Sequence, residues 1–207
     1  NHEALRCFEW MLNEGIVADE STFSCILKAC GNVGDIQKGK KIHDEIVRGG
    51  WKEGNIVLGT ALVDMYAKCG LLSDAQAIFD EMPSQDIISG TSLIAGYVDC
   101  GFIEDAQNRF EQMQMEGLCT DTVTLICILK ACGSTRAIDK GKQIHGQIVN
   151  RGLLEKDIVL GTALLDMYVK CCALAKAQNM LEELPARNTV SWCALIAGYT
   201  QQGQPYE

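Results

Sequence analysis

The sequence repeats itself at a fixed spacing, and this periodicity constrains the fold more than any other feature. The string GTALVDMYAKCG at 59–70 returns as GTALLDMYVKCC at 161–172, with nine of its twelve letters unchanged. ILKACG at 26–31 returns at 128–133 with the same offset of 102 residues. A unit of this length exceeds any single repeat of the common helical solenoids, so it must contain several smaller repeats.

A weaker internal similarity divides the long unit further. The string LGTALVDMYAKCG at 58–70 is similar to SGTSLIAGYVDCG at 89–101 and to VSWCALIAGYTQQG at 190–203. Aligning these strings gives consecutive units of 36, 31, 35, 36 and 31 residues, which span 20–55, 56–86, 87–121, 122–157 and 158–188. Partial units remain at 1–19 and 189–207.

Each unit carries two helical patterns. In unit 56–86, two runs of apolar residues at helical spacing are separated by Gly70, which indicates a helix end, and by Ser73, which we expect to cap the second helix. Pro83 ends the second run. An alanine followed four residues later by a large apolar residue recurs in the second helices, and we expect these pairs to pack neighbouring hairpins together. The pairs are Ala75 with Phe79, Ala106 with Phe110, and Ala177 with Leu181.

Two-helix units of this kind cannot bury their apolar faces alone, so neighbouring units must stack. The sequence therefore predicts an all-α fold, a right-handed α-solenoid superhelix of helix-turn-helix repeats with about twelve helices. We expect one domain over residues 1–207.

Composition restricts the possible functions. The net charge is −9, with 18 Lys and Arg against 27 Asp and Glu. Non-specific affinity for nucleic acids comes from basic side chains at phosphates, so any nucleic-acid role must use a local surface. The longest apolar runs, such as 125–129, are far shorter than the roughly 18 to 20 residues of a membrane span, and we expect no membrane association.

The eleven cysteines are interpreted as reduced thiols of an intracellular compartment, because several lie inside helical patterns beside Ala and Leu. Cys25 and Cys30 are five residues apart, as are Cys127 and Cys132, which places each pair about 140° apart around a helix. Such pairs cannot readily bind one zinc ion. We expect no metal site, no cofactor and no catalytic residue.

The N-terminus, NHEALRCFEW, has neither an initiator Met nor a basic-then-apolar leader, and it begins inside a helical pattern. We expect the chain to be a fragment, with any targeting peptide outside it.

The order of the units is similar to a known family. The long unit carries LKAC followed by GKxIH, the short unit carries GxALxDMYxKCG and ends in MP, and the third carries VSWxxLIAGYxxxG in its version at 190–203. This triplet resembles the PLS class of pentatricopeptide repeat proteins, and the resemblance covers the whole chain. The Trp-Leu-Gly-Tyr signature of tetratricopeptide repeats is not evident. A protein-binding scaffold of the tetratricopeptide kind is the alternative, and the low basicity of the chain favours it.

The resemblance implies a function. Members of the family bind single-stranded RNA in plant-type organelles with one base per repeat, and many PLS members direct C-to-U editing. We therefore expect a sequence-specific RNA-binding protein of the mitochondrion or chloroplast, an RNA-processing or editing specificity factor rather than an enzyme. The expected partners are single-stranded organellar RNA and editing cofactor proteins or a deaminase domain, with no small-molecule substrate.

The resemblance also implies which residues read the bases, since the fifth and last residues of a repeat form the key pair. Thr with Asp goes with guanine in the family, and Thr with Asn goes with adenine. A carboxylate only accepts hydrogen bonds and matches guanine's N–H groups, whereas an amide both donates and accepts, as adenine's edge requires. The pairs are Thr60 with Asp86 and Thr91 with Asp121 for guanine, Thr162 with Asn188 for adenine, and Ser24 with Asn55 and Ile126 with Asp157 as weak readers.

In the family, an apolar second residue of the repeat packs against the base. These residues are all β-branched here, except for Ser21 in the first full unit. They are Val57, Ile88, Val123, Val159 and Val190.

Other roles are open for several of these residues. Each Asp or Asn directly precedes a predicted helix, where its side chain would bond the free N–H groups of the first turn. Lys68 and Lys170 could meet RNA phosphates, or could simply favour the C-terminal end of a helix. For His43 and His145 we expect a structural role, because no nucleophile and carboxylate recur around them.

Overall fold

The structure, a computed structural model, describes residues 1–50, 55–118 and 120–203, except for the side chain of Gln202. These residues form twelve α-helices, and no strand occurs among them. The predicted all-α helical-repeat fold is therefore confirmed. The chain divides into two compact units, Asn1–Cys119 and Thr120–Glu207. None of the described helices combines the length and the apolar character needed to cross a membrane.

The first unit contains seven helices. They are α1 (His2–Asn13), α2 (Glu20–Val33), α3 (Ile36–Arg48), α4 (Ile56–Lys68), α5 (Leu72–Glu81), α6 (Ile87–Asp99) and α7 (Ile103–Met115). Helices α2, α4 and α6 pack side by side, and each also contacts the helix that follows it in the chain. The unit is thus a stack of helical hairpins.

The second unit is built in the same way. Its described helices are α8 (Thr122–Thr135), α9 (Ile138–Asn150), α10 (Ile158–Lys170), α11 (Leu174–Glu183) and α12 (Thr189–Gln202). Helix α10 packs between α8 and α12.

The first helix of every hairpin begins at a polar cap. Helices α2, α4, α6, α8, α10 and α12 each follow an Asp or Asn whose side chain accepts a backbone N–H of the first turn. Their first residues coincide with the unit boundaries proposed from the sequence. A cap of this kind contributes about 1 kcal/mol to helix stability.

The expectation that Ser73 caps a second helix is wrong. Helix α5 begins at Leu72, and Leu71 precedes it without a side-chain cap. The turn explains the difference: Gly70 takes a left-handed conformation with φ of 76°, and the Leu71 N–H bonds the Tyr66 carbonyl at 3.0 Å. This compact turn starts the helix two residues earlier than a Ser73 cap would, so Ser73 lies inside its first turn.

The small-then-large pairs of the second helices are buried in the core, as their predicted role in packing the hairpins requires. Ala75, Ala106 and Ala177 are fully buried. Phe79 and Phe110 are also fully buried, and Leu181 is 3% exposed.

Glycines in the long units allow a close helix approach. A Cβ at Gly39 would lie 2.6 Å from the sulfur of Met65, and one at Gly141 would lie 2.5 Å from that of Met167. The second helix of each long unit therefore packs directly on a methionine of the next hairpin, and a larger residue would require that methionine side chain to shift.

Both equivalent histidines bond a tyrosine of the following hairpin. His43 Nδ1 lies 2.9 Å from the Tyr66 hydroxyl, and His145 Nδ1 lies 2.8 Å from that of Tyr168. Burial lowers the pKa of His145 and raises that of its partner Tyr168, and it raises the pKa of Tyr66 to about 12. A neutral His145 imidazole accepting from a neutral Tyr168 phenol matches the shifts of that pair, and the structural role of both histidines stays a prediction.

Candidate nucleic-acid interface

The second residues of the units form a set of exposed apolar side chains. Each lies in the first turn of a first helix, and each is more than half exposed although it is β-branched and apolar. They are Val57 at 52%, Ile88 at 65%, Val123 at 56%, Val159 at 65% and Val190 at 63% exposed. The structure leaves this apolar position exposed in each of these units, and its packing against a base stays a prediction.

In the first compact unit, two of these residues line an open cavity of about 400 Å³, which is formed by side chains of α2, α4 and α6 and by Asp86, the residue before α6. We call it the Thr60 cavity. It is lined by Ser24, Lys28, Ile56, Val57, Thr60, Ala61, Asp64, Lys68, Asp86, Ile88 and Ser92. The structure thus brings together five side chains that the sequence assigns to base reading or base packing, with Lys68 at the same site.

Thr60 and Asp86 are in contact in this cavity. The Thr60 hydroxyl donates to Asp86 Oδ2 at 3.4 Å. The other oxygen, Oδ1, accepts the Ser89 N–H and the Ser89 hydroxyl, each at 2.7 Å. The two oxygens therefore have different tasks: one caps α6, and the other faces Thr60 and the cavity.

The equivalent pair of unit 158–188, Thr162 and Asn188, is arranged differently. Asn188 Oδ1 accepts the Ser191 N–H at 2.8 Å and so caps α12. The Thr162 hydroxyl donates to the Ile158 carbonyl of its own helix at 2.9 Å. With its oxygen in the cap, Asn188 has its amide N–H group to offer to a ligand.

The remaining pair assigned to guanine is divided between the two units. Thr91 belongs to the first unit and is only 7% exposed. Asp121 belongs to the second unit, is exposed, and accepts the Thr124 N–H at 2.8 Å and the Thr124 hydroxyl at 2.7 Å. The reading roles of Thr91 and Asp121 stay predictions.

Asn55 is held by a residue that the sequence reasoning missed. Its Nδ2 donates to Glu20 Oε2 at 2.9 Å, while its Oδ1 accepts the Leu58 N–H at 3.0 Å. Both polar ends of the amide are thus engaged. A sequence signal existed, because Glu20 is the one acidic residue at the first position of a unit. The other first positions hold Ile56, Ile87, Thr122, Ile158 and Thr189.

Asp157, the last residue of the other weak unit, also caps a helix. Its Oδ1 accepts the N–H groups of Val159 and Leu160 at 2.9 and 3.1 Å. Capping is thus what the structure shows for every Asp and Asn assigned to base reading, and any reading role must use the rest of the side chain.

The two lysines considered for phosphate contacts end their helices and are ion-paired. Lys68 Nζ lies 2.7 Å from Asp64 Oδ2, and Lys170 Nζ lies 2.7 Å from Asp166 Oδ2. Lys68 lines the Thr60 cavity, together with Lys28, which the sequence reasoning did not select. Among the residues that the structure describes, no three His, Cys, Asp or Glu side chains are placed to hold a metal ion.

Comparison with known proteins identifies the family of the chain. The model of the PPR repeat family matches residues 21–51, 60–87, 91–118 and 190–207, just over half of the chain. A chloroplastic pentatricopeptide repeat-containing protein of Arabidopsis thaliana is 37% identical over 205 residues, which cover 99% of this chain and 33% of the relative. A mitochondrial one from the same plant is 36% identical, covering 97% of this chain and 19% of the relative. The chain thus spans about a third or less of these relatives.

Solved structures share the fold. The pentatricopeptide repeat protein PPR10, in complex with an 18-nucleotide psaJ RNA element, matches with a TM-score of 0.71 and 22% identity over 86% of this chain and 26% of that one. PPR10 from maize, in a separate crystal structure, matches with a TM-score of 0.65 and 20% identity over 93% of this chain and 28% of that one. By its helical hairpins, its internal repeats and the family match, this chain belongs to the pentatricopeptide repeat family.

Proposed function

We propose that this chain binds single-stranded RNA in a sequence-specific manner, with one base per repeat. The observation that carries the proposal is the Thr60 cavity. There, a polar pair, Thr60 and Asp86, lies beside two exposed apolar side chains, Val57 and Ile88. A base is a flat apolar ring with a polar edge, so the apolar residues can hold its faces while the polar pair reads its edge.

The helix caps explain why Asp and Asn would read different bases. Asp86 uses Oδ1 in its cap, so Oδ2 presents an acceptor to the N–H groups on guanine's edge. Asn188 uses its only side-chain oxygen in its cap, so it presents an N–H donor to the ring-nitrogen acceptor of adenine. The cap thus sets the hydrogen-bonding character of the group that meets the base.

The expected footprint has five positions, read from the 5′ end as x-G-G-x-A, where x has no defined preference. The guanines face units 56–86 and 87–121, and the adenine faces unit 158–188. Unit 20–55 is a weak reader because Glu20 engages Asn55 and because Ser21 supplies no apolar contact. Unit 122–157 is weak because Ile126 has no hydrogen-bonding group.

The wider role follows from the PLS-like order of the units and from the named compartments of the relatives, which include chloroplastic and mitochondrial proteins. We place this chain among organellar RNA-processing or C-to-U editing specificity factors. It would supply binding and selection, while the chemistry of editing would come from a deaminase domain or a partner protein.

Fluorescence anisotropy with short labelled RNAs tests the proposal. An RNA with GG and A at the assigned positions should bind more tightly than one with CC and C, by about 1 to 3 kcal/mol for each well-read base. The affinity should fall as salt rises, because phosphate contacts release counterions. Equal affinity for the two RNAs would contradict base reading, and the absence of any salt-dependent binding would contradict RNA binding itself.

A further inference from the structure

Each short unit pairs the lysine at the end of its first helix with an aspartate one turn earlier. The pairs are Lys68 with Asp64 and Lys170 with Asp166, each with a nitrogen–oxygen distance of 2.7 Å. In unit 56–86, Lys68 and Asp64 both line the Thr60 cavity. A carboxylate therefore lies beside the ammonium group that would meet an RNA phosphate.

Asp64 is held in place from a second helix. The Ser92 hydroxyl of α6 donates to Asp64 Oδ1 at 3.1 Å, while Lys68 holds Oδ2. The Asp64 side chain is 23% exposed, against 36% for Asp166. The residue equivalent to Ser92 in the last unit is Ala194, which has no hydroxyl. The Asp64 carboxylate is thus held more firmly than the Asp166 carboxylate.

Asp64 and Asp166 are the ninth residues of their units, and the charge at this position follows a cycle of three along the chain. The long units carry a lysine, the short units an aspartate, and the third units an alanine. In chain order these are Lys28, Asp64, Ala95, Lys130, Asp166 and Ala197. The regular order shows that the aspartates are a property of the short units, and Lys28 lines the same cavity as Asp64.

We propose that Asp64 and Asp166 weaken the hold of the short units on the RNA backbone, so that these units read a base without binding any RNA non-specifically. The proposal rests on the RNA-binding function proposed above. Each aspartate offsets the charge of its lysine and repels an approaching phosphate. Binding by a short unit then depends on the match between its polar pair and the base.

The size of the effect follows from charge alone. Removing one unit charge at contact distance from a phosphate in water should raise affinity by about three- to fivefold. Freeing one lysine for a phosphate should also steepen the dependence of log affinity on log salt by about 0.7 for a single strand. Both changes should be the same for matched and mismatched RNAs, because the backbone carries no sequence information.

The test is Asp64→Asn, which removes the charge and keeps the shape and an oxygen to accept the Ser92 hydroxyl. Anisotropy titrations at several salt concentrations compare the wild type with the variant on the GG-A RNA and on its C-substituted control. We expect tighter binding to both RNAs by the same factor, and a steeper salt slope. Adding Lys68→Gln should remove the gain, and Asp166→Asn provides an independent variant at the second copy.

The outcomes separate this inference from the function on which it rests. Wild-type protein that shows no salt-dependent RNA binding would remove the proposed function. The inference alone would be overturned if the wild-type protein bound RNA and discriminated between the two RNAs, while Asp64→Asn and Asp166→Asn left the affinity and the salt slope unchanged. A gain confined to one of the two RNAs would also overturn it, since Asp64 would then act on a base.

Discussion

Units 56–86 and 158–188 have nearly the same first helix but end in different residues, Asp86 and Asn188. Their first helices, α4 and α10, differ at two of thirteen residues, and both carry a threonine at the fifth position. Yet Thr60 donates to Asp86, whereas Thr162 donates to the carbonyl of Ile158. The difference follows from the last residue, because a carboxylate has a second acceptor oxygen to hold the threonine and an amide whose oxygen is in the cap does not. The duplicated helix builds the fold, and the variable last residue decides what the unit presents.

Exchanging the two last residues should have the largest effect. Asp86→Asn should shift the preference of unit 56–86 from guanine toward adenine, and Asn188→Asp should shift unit 158–188 the opposite way. Each shift should amount to about 1 to 3 kcal/mol, measured by anisotropy on RNAs that differ at the one base. Thermal unfolding should change little, because Asp and Asn cap helices about equally well.

Alanine at the same position separates capping from reading. Asp86→Ala removes the cap as well as the acceptor, and it should destabilise the protein by about 1 kcal/mol while abolishing the guanine preference. If Asp86→Asn lowered the melting temperature as much as Asp86→Ala does, the cap-sharing explanation would be wrong.

The threonines should differ in importance, with a smaller effect than the exchange. Thr60→Val removes the hydroxyl that holds Asp86 Oδ2 and should reduce guanine discrimination by about 0.5 to 1.5 kcal/mol. Thr162→Val removes a hydroxyl bonded within its own helix, so it should change adenine discrimination less. The same anisotropy series measures both variants. Equal losses would show that Thr162 turns toward the base on binding.

The repeats explain why much of the fold could be predicted from the sequence. Each first helix follows an Asp or Asn cap, and each core position recurs at its expected spacing, as the buried Ala75 and Phe79 show. The prediction that Ser73 caps α5 is wrong because the first residue of this helix depends on the conformation of the turn at Gly70. The sequence pattern does not specify that conformation. Local rules place a helix well but leave its first residue open.

The candidate site was less predictable because it depends on contacts between hairpins. The exposed apolar residues and the Thr60–Asp86 pair could be found from unit alignment, since they occupy fixed positions. The contacts of Glu20 with Asn55 and of Ser92 with Asp64 join residues 35 and 28 positions apart. Such contacts depend on how two helices pack, so they require the structure.

Unit 20–55 extends the comparison, because it also ends in an asparagine. The amide N–H group of Asn55 is bonded to Glu20, whereas that of Asn188 is available to a ligand. Glu20→Ile, which copies the first residue of unit 56–86, should release the Asn55 amide and add a weak adenine preference at the first position. We expect less than about 1 kcal/mol, because Ser21 gives the base no apolar contact and Ser24 replaces the usual threonine. RNAs that vary only the first base of the footprint measure the change.

The double variant Glu20→Ile with Ser21→Val should show a larger preference, since it restores the apolar contact as well. Ser21→Val alone is the matched control, and it should tighten binding to every base to a similar degree. If Glu20→Ile produced no base preference at the first position, either alone or combined with Ser21→Val, the contact of Glu20 with Asn55 would not be the cause of weak reading by unit 20–55.

The smallest expected effect concerns pH and the two His–Tyr pairs. Burial lowers the pKa of His145, with Glu183 opposing the shift and Lys176 adding to it. A histidine whose pKa falls on folding binds more protons when unfolded, so its contribution to stability is complete above the ordinary pKa and is lost as pH falls. The melting temperature should therefore drop slightly between about pH 7.5 and 5.5, and less so in His145→Gln.

The equivalent position in unit 56–86 holds Asp74 instead of Lys176, and this suggests the substitution that tests the role of Lys176. Lys176→Asp should raise the pKa of His145 by replacing a repelling charge with an attracting one, and so should flatten the pH dependence of the melting temperature. An NMR titration of the His145 ring measures the pKa directly. A titration curve unchanged by Lys176→Asp would mean that Lys176 does not contribute to this pKa, which burial and Glu183 would then set.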